Sequence, residues 1–141
     1  MMSFQFIKGN VFKDARGSLR FFNTFNMGDI IRMYEIVPSD AEFTRGWQAH
    51  KYETKWFYCS QGSFQINVVK IDDFQNPSVK LVPTAFRLSE KEPVILEVIG
   101  GAATAIKATE SDSKLTVFSN FTLEESKKDD FRYDLKTWQL Q

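Results

Sequence analysis

The stretch Lys55-Trp56-Phe57-Tyr58-Cys59-Ser60-Gln61-Gly62-Ser63-Phe64-Gln65-Ile66-Asn67-Val68 decides the fold. Lys55 to Ser60 is a strand-like run that leads into Gln61-Gly62, a turn signal. Beyond the turn, Phe64, Ile66 and Val68 alternate with Gln65 and Asn67, the period of a half-buried strand. The two runs therefore read as a hairpin. Upstream, Ile30 to Val37 is rich in β-branched residues and stops at the turn-forming Pro38-Ser39-Asp40. Phe4 to Ile7 and Leu19 to Phe25 are Phe-rich runs of the same kind. Downstream, Val79 to Leu88 and Val94 to Ile99 each follow a Pro-containing break, and Gly100-Gly101 marks a sharp turn or close backbone approach. Ala105 to Ala108 and Leu115 to Phe121 complete the set. Only about Leu123 to Leu135 carries a helix-like charge pattern. Many short strands with turn signals between them predict a sandwich or barrel.

Composition sets the limits around that reading. A length of 141 residues suits one domain, residues 1–141, with a substantial core. Aromatics make up 15% of the chain, mostly as 14 Phe, which favours sheet over helix. The 18 basic and 18 acidic residues cancel, so the excess cation that nucleic-acid binders use against phosphate is missing. A local basic site for one or two phosphates stays open. With Cys59 alone, no intramolecular disulfide can form. No apolar run approaches membrane-spanning length, and Met1 to Asn10 lacks a signal-peptide core, so a cytoplasmic location and no membrane partner are expected. His50 is the only histidine, which leaves no His-rich metal site.

Three segments, in order, carry a family resemblance. The first runs from Val11-Phe12-Lys13-Asp14-Ala15-Arg16-Gly17-Ser18-Leu19 to Phe25-Asn26. The second is Arg45-Gly46-Trp47-Gln48-Ala49-His50-Lys51, then Lys55 through Gly62 to Asp72. The third runs from Gly100-Gly101-Ala102-Ala103 to Phe131-Arg132-Tyr133-Asp134. In register they resemble the dTDP-4-dehydrorhamnose 3,5-epimerases and the related dTDP-sugar 3,4-ketoisomerases. The first is similar to the epimerase opening "F-x-D-x-R-G-x-F". The second is similar both to the epimerase "R-G-L-H" strand and to the ketoisomerase "R-G-G-H-A-H-K". The third follows "G-F-A-H-G" and the closing "R-W-D". The resemblance implies an all-β cupin jelly-roll barrel with a short C-terminal helical or irregular segment. It further implies a nucleotide-linked 4-keto-6-deoxyhexose as partner, a homodimer that exchanges N-terminal strands, and no metal or organic cofactor.

The family chemistry is proton abstraction α to a carbonyl, which needs a base, an acid and a group that steadies the enolate oxygen. Carried over by position, Arg16 and Arg45 fall on arginines that bind substrate, Arg45 as a diphosphate ligand. Lys55 falls on the lysine near the keto oxygen, where a compact cation suits a developing oxyanion. Gln48 stands where the epimerases have their base histidine, and an amide takes no proton at neutral pH. Ala103 stands at a second family histidine, and the acid tyrosine falls near Thr116. His50 matches the second histidine of "H-A-H" and is the one proton-transfer residue left. Trp47, Trp56, Phe57 and Tyr58 read as core or pocket lining, and of these Trp47, beside Arg45, is the best candidate to stack on base or sugar.

Each residue has a plainer reading beside this one. His50 could be a barrel-wall residue bonded to a neighbour, and Glu53 could orient it or be surface charge. His50-x-x-Glu53 is part of a cupin metal motif, but the other ligands that a first-row metal requires are not there. Arg16 and Arg45 could pair with acids at the barrel rim, Cys59 could be a small buried apolar residue, and Glu124 to Asp130 reads as a solvated surface. Three functions follow: a sugar-nucleotide isomerase using His50 and Lys55, a non-catalytic sugar-nucleotide-binding barrel, or a structural barrel filled by its aromatics.

Overall fold

The computed structural model describes residues 3–141. Met1 and Met2, where the segment expected to lack a signal peptide begins, lie outside the described residues. The strands, in chain order, are β1 (Phe4–Lys8), β2 (Asn10–Asp14), β3 (Gly17–Phe21), β4 (Arg32–Ile36), β5 (Thr44–His50) and β6 (Lys55–Gln61). They continue with β7 (Ser63–Lys70), β8 (Thr84–Ser89), β9 (Val94–Val98), β10 (Ala102–Ala108), β11 (Lys114–Ser119) and β12 (Phe131–Arg132). One helix, α1 (Leu123–Lys127), and a 3-10 turn (Leu135–Thr137) flank β12.

Two antiparallel sheets face each other, in the orders β1-β9-β6-β11-β4 and β12-β5-β10-β7-β8, as a jelly roll. Strand alternation decides what lies between them. Phe57 and Cys59 of β6, Leu96 of β9, and Leu115 and Val117 of β11 point inward from the first sheet. Phe64, Ile66 and Val68 of β7, with Leu88 of β8, meet them from the second, and together they form the main core. A smaller second core lies on the outer face of β5, β10 and β7. There Trp47, Ala49, Val69, Ile71, Ala103 and Ala105 are roofed by Trp138 and by Phe74, Phe131 and Tyr133. The strands nearest that roof therefore carry apolar residues on both faces.

The stretch that decides the fold behaves otherwise than its pattern predicts. β6 and β7 do not pair: β6 lies between β9 and β11, and β7 between β10 and β8. Both edges of each strand are filled, so the Gln61-Gly62 turn carries the chain from one sheet to the other instead of closing a hairpin. Gly62 has φ +72°, a left-handed conformation that glycine adopts without steric cost. Beside it, the Cys59 Sγ–H donates to the carbonyls of Gln61 and Gly62 at 3.2 and 3.3 Å. Burial pushes the Cys59 pKa up to about 11, so the thiol is inert at neutral pH, as its apolar reading expects.

Other boundaries move for local reasons. The run Leu19 to Phe25 is strand only to Phe21. Phe22 and Phe25 then fold over the outer face of the first sheet, their rings 5.4 Å from Tyr58 and 6.4 Å from Trp56. Val79 to Pro83 is irregular, and strand begins at Thr84. The expected helix over Leu123 to Leu135 is a single short turn. A capping box between Thr122 and Glu125 starts it, and Asp129 and Asp130 end it by turning toward the barrel.

Candidate functional site

A cleft of about 600 Å³ opens between β4, β5, β6 and β10, with α1 and the segment after it as one wall. Period-2 alternation brings Arg32, Tyr34 and Ile36 of β4 to it, and Gln48 of β5. Lys55 and Phe57 come from β6, and Thr104 and Ile106 from β10. Cations gather at this cleft: Arg32, Arg45, Lys55, Lys127 and Arg132 line it, against one acid at its rim, Asp130. A groove of about 440 Å³ on the outer face of β10 and β7 carries only Lys107 and Glu42 as charged lining side chains.

His50 sits at the base of the cleft and is buried, with 7% of its surface exposed. Its Nδ1 lies 2.6 Å from the carbonyl oxygen of Asp129, so Nδ1–H donates and Nε2 keeps the lone pair in the neutral ring. Nε2 is the only buried side-chain polar atom among the described residues without a partner. His50 borders a space of about 10 Å³ together with Gln48, Lys55, Thr104 and Ala102. Burial and then the Lys55 cation press the His50 pKa below its usual 6.5, while the Asp129 carbonyl and the Glu53 carboxylate oppose them.

Below about 6.5 the unfolded chain takes a proton that the folded imidazole resists. Stability is fully present above that value and falls as pH drops through it. The thermal midpoint of the wild-type protein is therefore expected to fall more between pH 7 and pH 5.5 than that of His50→Asn, as differential scanning calorimetry would read.

A hydrogen-bonded frame holds the imidazole. The Asp129 carboxylate accepts the backbone N–H groups of Lys51, Tyr52 and Glu53, each at 2.8 Å, and clamps the turn after β5. The Glu53 side chain is wholly buried and accepts from Arg32 at 2.9 Å, from Ser126 at 2.7 Å and from Ser119. Its Oε1 lies 3.3 Å from His50 Nδ1. Lys55 Nζ donates to the Tyr34 hydroxyl at 2.9 Å, and Lys55 and Arg32 both lie against the Tyr34 ring, at 5.4 and 5.3 Å from its centre. At the rim, Gln48 Nε2 donates to Asp130, which Arg132 also holds. Burial disfavours the Asp130 carboxylate, but the bonds from Arg132 and Gln48 outweigh it and keep the Asp130 pKa below the usual carboxylate value.

Of the residues singled out from the sequence, the structure brings His50, Lys55, Gln48 and Arg45 to this cleft and its floor. Arg45 forms no ion pair among the described residues. Trp47 is not there. Beyond the bulge in the β5–β10 register, Trp47 and Ala49 face the second core, so Trp47 is fully buried, edge-on to Trp138 at 5.3 Å, with its indole N–H on the Leu135 carbonyl. Arg16 also lies elsewhere, exposed at the β2–β3 turn and paired with Asp14 at 2.6 Å. Ala103 lies in the outer core, and Thr116 sits between the inward-facing Leu115 and Val117, so both face away from the cleft. The cleft-side neighbours of Ala103, Ala102 and Thr104, carry no proton-transfer group. Among the described residues no group of three or more His, Cys, Asp or Glu is placed to hold a metal ion, and no helix is long and apolar enough to cross a membrane.

Arg32, Tyr34, Ser126, Asp129 and Asp130 are site residues that the sequence reading passed over. The alternation of Ile30 to Val37 was a usable signal, since Arg32, Tyr34 and Ile36 share a face. The segment Glu124 to Asp130 gave the opposite signal: it reads as solvated charge, yet Ser126 and Asp129 are buried.

No protein-family model matches the chain, and no curated protein matches it by sequence. Solved structures do match. A sugar 3,4-ketoisomerase from Thermoanaerobacterium thermosaccharolyticum, in complex with TDP, superposes with a TM-score of 0.72 at 24% identity, covering 96% of this chain and 92% of that one. A TDP-quinovose 3,4-ketoisomerase from Campylobacter jejuni gives 0.70 at 21%, covering 94% and 95%. A dTDP-4-dehydrorhamnose 3,5-epimerase from Bacillus anthracis gives 0.74 at 14%, covering 94% and 79%. The chain thus has the all-β cupin jelly-roll fold of the sugar 3,4-ketoisomerases and 3,5-epimerases, the group that its three sequence segments resemble.

Proposed function

We propose that the protein binds a nucleoside-diphosphate-linked 4-keto-6-deoxyhexose and moves a proton α to its carbonyl, as an isomerase of the cytoplasm. The observation that carries this reading is the unpartnered Nε2 of a buried imidazole beneath a cationic cleft. The rim cations suit a diphosphate, with Arg45 free of any ion pair among the described residues to take it. Lys55 faces the keto oxygen, where an ammonium steadies the enolate. Tyr34, whose oxygen already accepts from Lys55, leaves its own proton to point into the cleft as the acid. The space beside the His50 ring is about 10 Å³, room for a single water, so the proton passes between sugar and imidazole through one bridging molecule. The test is deuterium wash-in from heavy water into dTDP-4-keto-6-deoxyglucose, with calorimetric titration of the same ligand. Exchange together with binding supports the reading.

The tight cover over Nε2 and the glutamine at position 48 favour a second reading, a barrel that binds the sugar nucleotide without turnover. Binding with no exchange selects it, and no binding at all leaves neither.

The β2–β3 hairpin supports the homodimer. Among the described residues its strands pair only with each other, and it exposes Val11, Phe12 and Leu19, at 40%, 56% and 58%. An isolated two-stranded ribbon with an apolar face is marginal in water, so a second copy is the natural cover and would receive Arg16 at the hairpin tip. The expected outcome is a dimer by light scattering that Leu19→Asp converts to monomer. A wild-type monomer would remove Arg16 from the site.

A further inference from the structure

Glu53 is a carboxylate with no surface of its own, in a position where a charge needs a reason. It follows β5 in the turn that Asp129 clamps, and its side chain reaches the junction of four elements. Arg32 comes from β4, Ser119 from β11 and Ser126 from α1, and all three donate to it. Donors alone surround it, which matches an ionised carboxylate, an acceptor with no proton to give. A core of this size does not need such an ion for stability, since buried ion pairs roughly break even against apolar packing. What the arrangement does provide is placement: Oε1 stops 3.3 Å from Nδ1 of His50.

We propose that Glu53 is the positioning residue of the site, fixing the Nδ1 side of the His50 ring and supplying the counter-charge when Nε2 takes up a proton. The inference rests on the reading of His50 as the proton carrier. The primary acceptor of Nδ1–H is the Asp129 carbonyl at 2.6 Å, a neutral group. It sets the tautomer but offers no net charge. The imidazolium that forms on proton uptake needs an anion, and Glu53 is the only carboxylate within 4.0 Å of a ring nitrogen among the described residues. The Asp129 carboxylate is turned away onto three backbone N–H groups. The other charges facing the ring are Lys55 from β6, which opposes the cation, and Asp130 before β12, which favours it from farther off. Arg32 from β4 and Arg132 from β12 partly offset Glu53 and Asp130. β10 and β9 present only Ala102, Thr104, Val98 and the backbone near Ile99, none of which titrates.

His50 is the only histidine, so one ¹⁵N-labelled imidazole reports the whole experiment without assignment. In the wild-type protein at pH 7 the ring is expected as the neutral Nδ1–H tautomer. Glu53→Gln keeps the shape and one acceptor but removes the charge. Its His50 titration midpoint is expected to fall by about one pH unit, the usual effect of losing a nearby opposite charge. Ser126→Ala, which cuts the tie to α1 and leaves the charge, should leave the midpoint in place. A merely structural role would move both variants alike or neither. In the exchange assay Glu53→Gln should lower kcat about tenfold or more at unchanged KM. An unshifted midpoint in folded Glu53→Gln overturns the proposal, whatever the assay gives. Should that variant fail to fold, an Nε2–H tautomer in the wild-type protein overturns it as well. Absence of exchange in the wild-type protein instead overturns the isomerase reading, and the midpoints are read independently of it.

Discussion

His50→Asn is expected to abolish deuterium incorporation into the sugar, by about a thousandfold or more, while leaving nucleotide-sugar affinity within a few-fold of wild type. Asparagine is chosen because its Nδ2–H can replace Nδ1–H as donor to the Asp129 carbonyl, so the wall after α1 keeps its anchor. It lacks only the lone pair at Nε2 and the capacity to carry a proton. Affinity is preserved because the diphosphate cations lie at the rim, on β5, α1 and β12, and not at the floor where the imidazole sits. Proton NMR of the substrate in heavy water reads the exchange, and calorimetry reads the binding. Exchange retained within tenfold of wild type would move the base to another group, with Lys55 the next to test.

The second large effect concerns stability. Asp129→Ala is expected to cost about 3 kcal/mol in chemical denaturation, from the loss of charge-assisted bonds to three backbone N–H groups. The N–H groups of Lys51 and Tyr52 belong to exposed residues and can turn to water. That of Glu53 is buried and stays unsatisfied, and it accounts for most of the loss. Asp129→Asn keeps an acceptor and should recover part of the cost. A loss below about 0.5 kcal/mol in the alanine variant would mean that the turn after β5 holds its shape without the clamp.

The all-β class was legible because alternation and turn residues are local properties. The pairing of the strands was not. Lys55 to Val68 carries every mark of a hairpin, yet its two strands belong to opposite sheets, and nothing within those residues says which edges are already taken. The same limit governed the site. His50, Lys55, Gln48 and Arg45 were found because they stand close together in the sequence and match known motifs. Trp47 lies among them and reads both as core and as a stacking residue; a bulge in the β5–β10 register and the second core under Trp138 put it in the core and not in the cleft. Asp129 lies nearly 80 positions from the turn it clamps, in a charged run whose composition suggests solvent. Long-range satisfaction of buried backbone groups leaves no periodic trace for a single sequence to reveal.

The lone thiol at the sheet-crossing turn has a practical side. Because Cys59 is sealed and unreactive, the natural chain offers no background to maleimide or nitroxide reagents. A single exposed replacement on the ribbon, such as Lys13→Cys, would then be the sole point of attachment. Dipolar spectroscopy between two such labels could measure how far apart two ribbons sit in solution, with no need to engineer the native cysteine away first.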